Sequence, residues 1–238
     1  MRKLPVALPV LLALAACHPS STGASEPNAS STAVAAARRP EAPRPPGATD
    51  PAPTKAAPVG TDPGHAGAGT PLVPAPGHEL AAFAEGCFWG SEDTFRHVTG
   101  VVATAVGYTG GHTANPSYDD VCTHTTGHAE TVLVEYDPNA VSYEQLLAKF
   151  WDSHDPTTLN QQGPDYGDQY RSEIFTLSDA QAAAARASLT REQARYDDKI
   201  TTRIEPLGKF WKAEGYHQQY DEHTGRHSCP LPPTRKST

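Results

Sequence analysis

The positions of the aromatic and proline residues divide the 238-residue chain into two parts of different composition. All 18 aromatic residues lie at Phe83 or later, whereas 15 of the 23 prolines lie before residue 80. A segment rich in Pro, Ala, Ser and Gly, with no aromatic side chain, cannot bury enough apolar surface to offset the entropy lost on ordering. We therefore predict one globular domain over residues 78–238, with a flexible C-terminal tail from about residue 218, and a disordered segment before it.

The first residues have the pattern of an exported lipoprotein. Arg2 and Lys3 precede an apolar run too short to span a membrane, and the run ends at Cys17 after two alanines. This pattern predicts a signal peptide over residues 1–16 and a lipid-attached, Pro/Ala-rich tether over residues 17–77. Lipidation of Cys17 would anchor the protein in a bacterial cell envelope, facing the periplasm or the exterior. An ordinary secretory signal with a chance cysteine is the alternative.

The charge of the globular part restricts its partners. Residues 78–238 contain 23 Asp and Glu against 13 Lys and Arg, and the whole chain has a formal net charge of −8. Binding to nucleic acid depends on neutralising phosphates with clustered basic residues, and this sequence has no such cluster. We therefore expect no nucleic-acid partner.

Apolar runs and helix-start signals predict an alternation of strands and helices after residue 79. The predicted order is β-α-β-β-α-β-α-β, which indicates an α+β fold. We expect a two-layer sandwich of helices on a mixed β-sheet, with a ferredoxin-like βαββαβ core and long loops. The predicted strands are 80–84, 101–106, 131–136, 173–176 and 199–205, and the predicted helices are 87–97, 142–150 and 178–194.

The run Gly86-Cys87-Phe88-Trp89-Gly90 is the clearest candidate for chemistry. It places a cysteine at a strand-to-helix turn, where unpaired backbone N–H groups and the helix dipole favour a thiolate. The two aromatic residues beside the sulfur would form an apolar pocket suited to a thioether. A buried cysteine in an aromatic core is the alternative.

With eight further runs in the same order, this pentapeptide resembles the A-class peptide methionine sulfoxide reductases over residues 80–229. Each run alone is a weak signal, but nine collinear runs are specific. The other eight are 107–111 (GYTGG), 115–118 (NPSY), 121–122 (VC), 127–130 (GHAE), 142–147 (SYEQLL), 150–151 (FW), 154–156 (HDP) and 169–172 (QYRS).

The resemblance implies a role for each matching residue. Cys87 matches the nucleophile that takes the oxygen from the sulfoxide, and Glu130 matches a general acid for that oxygen. Tyr118 and Tyr170 match hydroxyl donors to the oxygen, and Asp165 matches a carboxylate that supports the site. The chemistry independently requires such groups, because a sulfoxide oxygen leaves poorly until it is protonated.

The resemblance also implies a substrate pocket and a recycling step. Phe88 and Trp89 match the pocket for the substrate methyl group. A sulfenic acid formed on Cys87 would be resolved by Cys229 in the C-terminal tail, with Cys122 as an alternative resolving cysteine. We expect no bound cofactor, an external thioredoxin-like protein or dithiol as reductant, and methionine-S-sulfoxide, free or in oxidised proteins, as substrate.

Two other classes of protein fit parts of the sequence. The first is a metal protein, using Cys122, His124 and His128, or the histidines at 217, 223 and 227 with Cys229. Neither set has the paired short spacings of a zinc site, so we expect no metal. The second is a cysteine hydrolase, which would need a partner His–Asn pair that the sequence does not indicate.

Overall fold

Eight strands and five helices make up the part of the chain that the computed structural model describes, which is residues 58–226 with Pro233 and Arg235. The strands are β1 (Glu79–Glu85), β2 (Val101–Thr109), β3 (Ala129–Tyr136), β4 (Gln161–Gln162), β5 (Asp165–Tyr166), β6 (Ser172–Thr176), β7 (Arg203–Pro206) and β8 (Trp211–Lys212). The helices are α1 (Phe88–Arg96), α2 (Tyr118–Cys122), α3 (Tyr143–Ser153), α4 (Asp179–Gln193) and α5 (Tyr220–Thr224). No helix within these residues has the length and apolar character needed to cross a membrane.

Six of the strands form one sheet in the order β7-β6-β1-β3-β2-β8. Its centre, β6-β1-β3-β2, is antiparallel and has the strand order of a ferredoxin-like core. At one edge β7 runs parallel to β6, so the sheet is mixed. The predicted α+β fold is confirmed.

Helices α1, α3 and α4 cover one face of this sheet. Phe83 of β1 stacks on Phe95 of α1 with ring centroids 4.8 Å apart and lies 5.5 Å from Phe150 of α3. The start of α3 follows from its sequence, because Ser142 and Gln145 form a reciprocal capping box. The main hydrophobic core therefore lies between the predicted helices and the alternate residues of the central strands.

The opposite face of the sheet is covered by residues that the sequence assigned to the tether. Ala66 and Leu72 pack with Leu133 and Phe175 of the sheet, together with Phe210 from the segment before β8. The boundary predicted at residue 78 is therefore wrong for residues 58–77, which pack on the domain. The physical reason is that β1 and β3 are buried on both faces, so the second face must also be covered.

A buried carboxylate of β3 fixes this N-terminal strap, residues 58–77. Glu135 accepts hydrogen bonds from the backbone N–H of Gly64 at 2.8 Å and of Ala75 at 2.9 Å. His78 lies 3.0 Å from the same carboxylate. These donors hold the pKa of Glu135 below its ordinary value even though burial raises it.

The tail predicted to be flexible from about residue 218 is ordered as far as residue 226. Gln218 and Gln219 are buried, and α5 follows them. The Gln218 amide both accepts from the backbone N–H of Val106 and donates to its carbonyl, at 2.9 Å each, and so extends the hydrogen bonding of β2. Further along, Arg235 donates to the carbonyl of Trp151 at 3.0 Å.

Candidate active site

Cys87 lies at the turn between β1 and α1, as predicted, and is partly exposed. It is the N-cap residue of α1, and the preceding Gly86 has a left-handed φ of +108°. A Cβ atom on Gly86 would lie 2.7 Å from Cγ of Gln162. A residue with a side chain would therefore be strained and would clash, so glycine is required for this turn.

Glu130, at the start of β3, is buried beside this turn. Its Oε2 accepts a hydrogen bond of 3.0 Å from the backbone N–H of Phe88, the residue that follows Cys87. Burial raises the pKa of Glu130 to about 8, against the lowering effect of that hydrogen bond, and the nearby charge of Asp165 adds to the rise. The carboxyl group is therefore protonated at neutral pH and can donate a proton.

Two further polar residues of the predicted site, Asp165 and Tyr170, come from the segment between α3 and β6. Asp165 lies on a short ribbon in which it pairs with Gln162, the residue packed against Gly86. Burial raises the pKa of Asp165. Tyr170 is buried in a 3₁₀ turn that packs on β3, the strand of Glu130. The structure thus brings Asp165 and Tyr170 to the end of the sheet at which β1 finishes before the cysteine and Glu130 lies at the start of β3.

A cluster of aromatic rings, called here the aromatic pocket, begins at Phe88, the residue after Cys87. The Phe88 ring lies 5.8 Å from that of Tyr108 and 5.1 Å from that of His217. The Trp89 indole N–H donates to Nδ1 of His217 at 3.1 Å, and the Tyr118 ring lies 4.5 Å from the same imidazole. Phe88, Trp89 and Tyr118 therefore meet around one buried histidine.

The sequence analysis did not identify three residues of this pocket. Burial lowers the pKa of His217 to about 4, so the ring is neutral, with its proton on Nε2 because Nδ1 accepts from Trp89. Tyr220 stacks on Trp89 with ring centroids 3.9 Å apart.

Glu214 accepts from the backbone N–H of Tyr118 at 2.9 Å and from the hydroxyl of Tyr108 at 3.0 Å. The sequence feature that could have indicated His217 and Tyr220 is the run 216–220 (YHQQY), which crosses the predicted start of the tail at about residue 218.

Within the described residues the candidate metal ligands do not converge, and His227 and Cys229 lie outside those residues. Both ring nitrogens of His128 bond to the backbone of the loop after β2, at Gly111 and Thr113. Nδ1 of His124 lies 2.7 Å from the side-chain oxygen of Gln169. No group of three or more His, Cys, Asp or Glu side chains within the described residues is placed to hold a metal ion.

The structure does not test two of the predicted cysteine roles. Cys17 and Cys229 both lie outside the described residues. Cys122 ends α2 and is partly exposed. The assignments of Cys17 to lipidation and Cys229 to recycling therefore remain predictions.

Comparisons with known proteins agree with this geometry. A family model described as peptide methionine sulfoxide reductase matches residues 79–238. A peptide methionine sulfoxide reductase of Methanothermobacter thermautotrophicus is 58% identical over 156 residues, which are 65% of this chain and 92% of the relative. Peptide methionine sulfoxide reductase A2 of Arabidopsis thaliana is 54% identical over 163 residues, 68% of this chain and 75% of the relative.

Two solved structures are similar in fold. Mxr1 from Saccharomyces cerevisiae in reduced form has a TM-score of 0.64 and 37% sequence identity, covering 68% of this chain and 95% of the yeast chain. Methionine sulfoxide reductase A of Corynebacterium diphtheriae also has a TM-score of 0.64, with 36% identity over 75% of this chain and 92% of its own.

Proposed function

This chain belongs to the peptide methionine sulfoxide reductase family and is therefore an oxidoreductase, and we propose that Cys87 is the residue that takes the oxygen from methionine-S-sulfoxide. The observation that carries this proposal is that the Glu130 carboxyl group is bonded to the backbone beside Cys87. The nucleophile lies at a helix N-terminus, and a carboxyl group that stays protonated at neutral pH bonds to the next backbone N–H.

The proposed reductive step balances as follows. The Cys87 thiolate attacks the sulfoxide sulfur while Glu130 donates its proton to the oxygen. The oxygen is transferred to Cys87, which becomes a sulfenic acid, and methionine leaves with its sulfur reduced. Because Oε2 of Glu130 accepts from Phe88, the proton to be donated is on Oε1. Tyr118 and Tyr170 donate to the oxygen as its negative charge develops, and Asp165 supports the site.

Phe88 and Trp89 form the pocket for the substrate methyl group. Phe88 is buried, and Trp89 is oriented by its hydrogen bond to His217 and by stacking on Tyr220. A rigid aromatic pocket beside the nucleophile binds an apolar methyl and leaves the sulfoxide oxygen for the polar groups. The S configuration proposed for the sulfoxide is the one that the resemblance to A-class reductases implies.

The proposed recycling step uses Cys229. Its thiol attacks the sulfenic sulfur of Cys87, water leaves, and a disulfide forms. An external thioredoxin-like protein or a small dithiol then reduces the disulfide by thiol exchange. The substrates are free methionine sulfoxide or oxidised proteins, and no bound cofactor takes part.

The cellular role proposed here is the repair of oxidised methionine in the cell envelope. It rests on the pattern of the first seventeen residues, in which Cys17 is the lipidation site. Replacing Cys17 by alanine is expected to release an active protein from the membrane fraction. A Cys17→Ala protein that stays with the membrane would refute the lipid anchor.

Turnover of the separated S and R epimers with dithiothreitol tests the reaction. The wild-type protein is expected to reduce the S epimer alone. Reduction of the R epimer at a similar rate, or no reduction of either epimer, would refute the proposed specificity or the proposed reaction.

A further inference from the structure

One arginine of α1 joins three separate segments of the chain beside the aromatic pocket. Arg96, the last residue of α1, is 9% exposed and uses all five of its N–H groups. Two groups donate to the Glu222 carboxylate, Nε at 2.7 Å and Nη2 at 3.1 Å. The others donate to the Val59 carbonyl at 3.2 Å, the Gly60 carbonyl at 3.0 Å and the Thr104 hydroxyl at 2.9 Å.

A second residue of the same helix holds the adjoining stretch of chain. Glu92 lies one turn before Arg96 and is 1% exposed. Its carboxylate accepts from the backbone N–H of Gln219 at 2.6 Å and from the Gln219 side-chain amide at 2.8 Å. Gln219 has a left-handed φ of +50°, and α5 begins after it. Residues 219–222 are thus attached to α1 at both ends, by Gln219 at the start and by Glu222 at the end.

Tyr220 lies between these two attachment points. Its ring is nearly parallel to the Trp89 indole, at 11° with centroids 3.9 Å apart. A further restraint on the indole is its hydrogen bond to His217, three residues before Tyr220. The orientation of Trp89 therefore depends on a short helix of five residues, which would not be stable without its attachment to α1.

We propose that Arg96 and Glu92 are positioning residues for the substrate pocket: they dock residues 219–222, and this docking holds Tyr220 against Trp89. Because Arg96 also binds the carbonyls of Val59 and Gly60, the start of the N-terminal strap contributes to the same docking. The inference rests on the proposed function, in which Trp89 lines the pocket for the substrate methyl group. It does not involve Glu130 or Cys87, so binding should respond and the chemical step should not.

The variant Arg96→Met tests the inference. It removes the charge and all five donors, while Glu222 stays hydrated because its side chain is 45% exposed. Hydrogen exchange is expected to become faster both in residues 58–60 and in residues 219–226. In single-turnover experiments without reductant, the S-sulfoxide concentration at half-maximal rate is expected to rise about fivefold to tenfold, because only the docked fraction binds well. The maximal rate should change less than about twofold.

Two further variants make the test specific. Glu222→Gln removes one charge from an exposed partner and should shift the same two measurements in the same direction by a smaller factor. If Arg96→Met does not fold, Glu222→Gln alone tests whether the docking of residues 219–222 affects substrate binding. The matched control is Arg195→Met, which breaks an ion pair between Arg195, just after α4, and Glu192 in the last turn of that helix, with a nitrogen–oxygen distance of 3.1 Å. This control should leave both measurements unchanged.

The outcomes separate this inference from the proposed function. Faster exchange at 219–226 with an unchanged half-saturating concentration would refute it, as would a loss confined to the maximal rate. Unchanged exchange at 58–60 would refute the contribution of the strap. If the wild-type protein does not reduce the sulfoxide at all, the proposed function fails, and the exchange data alone then decide whether Arg96 docks residues 219–222.

Discussion

Replacing Glu130 by glutamine is expected to slow oxygen transfer and, at the same time, to stabilise the folded protein at neutral pH. Both effects have the same cause, which is the burial that raises the pKa of Glu130 from its ordinary 4.5 to about 8. Glutamine keeps an oxygen that can accept from the Phe88 N–H but has no acidic proton. The chemical step should therefore slow by about 10²–10⁴-fold, the usual contribution of general acid catalysis.

The stability effect follows from proton linkage. In the wild type the folded carboxyl is protonated up to about pH 8, whereas the unfolded carboxyl ionises above 4.5. The folded state thus binds more protons between these values, and this contribution to stability is complete below pH 4.5 and is lost as the pH rises towards 8. Because pH 7 is about 2.5 units above 4.5 and each unit costs about 1.4 kcal/mol, the folded state has by then lost on the order of 3 kcal/mol of this stabilisation.

Urea unfolding of both proteins at several pH values measures this difference. Glu130→Gln should be more stable than wild type by up to about 3 kcal/mol at pH 7, and the gain should shrink by about 1.4 kcal/mol per pH unit towards pH 4.5. Taking the difference cancels the groups that titrate independently of Glu130, such as His154 and His217. A variant that is less stable than wild type at pH 7, or a gain that does not depend on pH, would refute the reasoning.

Glu85 provides a matched control for this experiment. It is also fully buried, and burial likewise raises its pKa to about 8. It bonds to the Ser153 hydroxyl at 2.8 Å, on the side of α3. Glu85→Gln should therefore give a similar pH-dependent gain in stability while oxygen transfer stays within about threefold of wild type, because it donates no proton to the substrate.

Three further predictions concern the nucleophile, the recycling step and the strap. Cys87→Ser should abolish reduction of the S epimer with any reductant, since a hydroxyl is a poor nucleophile towards sulfoxide sulfur; activity above a few per cent would move the nucleophile elsewhere. Cys229→Ser should release one equivalent of methionine in a burst without reductant and lose thioredoxin-driven turnover, and full turnover in this variant would assign resolution to Cys122. A chain beginning at Pro76 should have a free energy of unfolding, measured in urea, that is lower by about 2 kcal/mol or more than that of a chain beginning at residue 58. The shorter chain loses the burial of Leu72 and two donors to Glu135. Equal stability of the two chains would show that the strap adds nothing.

Much of the fold was predictable because its signals are local. The run 80–84 and the alternation at 131–136 predicted two central strands, and Ser142 with Gln145 predicted the start of α3. The structure extends these elements by one to three residues without moving them. The short elements α2, α5, β4, β5 and β8 were not predicted, because two to five residues are too few to show a period.

Only part of the candidate site could be predicted from the types of residue in the sequence. A cysteine at a strand-to-helix turn draws attention in a sequence, whereas Glu130 was identified only through the family resemblance. His217, Glu214 and Tyr220 did not draw attention, because their role depends on which rings they meet, and a polar segment near the C-terminus also has the composition of a tail. The buried amide of Gln218, which bonds to both backbone groups of Val106, shows the same limit. A polar side chain can be buried wherever its hydrogen bonds are satisfied, so hydropathy does not report its burial.

The error at the strap has a different cause, and the sequence contained the means to avoid it. Aromatic content predicted that residues before 78 cannot form a core of their own. It did not address whether they can complete the core of another segment. The unbroken apolar run 80–84 predicts a strand buried on both faces, and the predicted helices suffice for only one face. The strap's share of the second cover needed no aromatic side chains. It needed only apolar residues such as Ala66 and Leu72, which pack beside Phe210, and backbone N–H groups that can meet the buried carboxylate of Glu135. Counting the sheet faces that remain uncovered therefore constrains where a domain begins more directly than composition does.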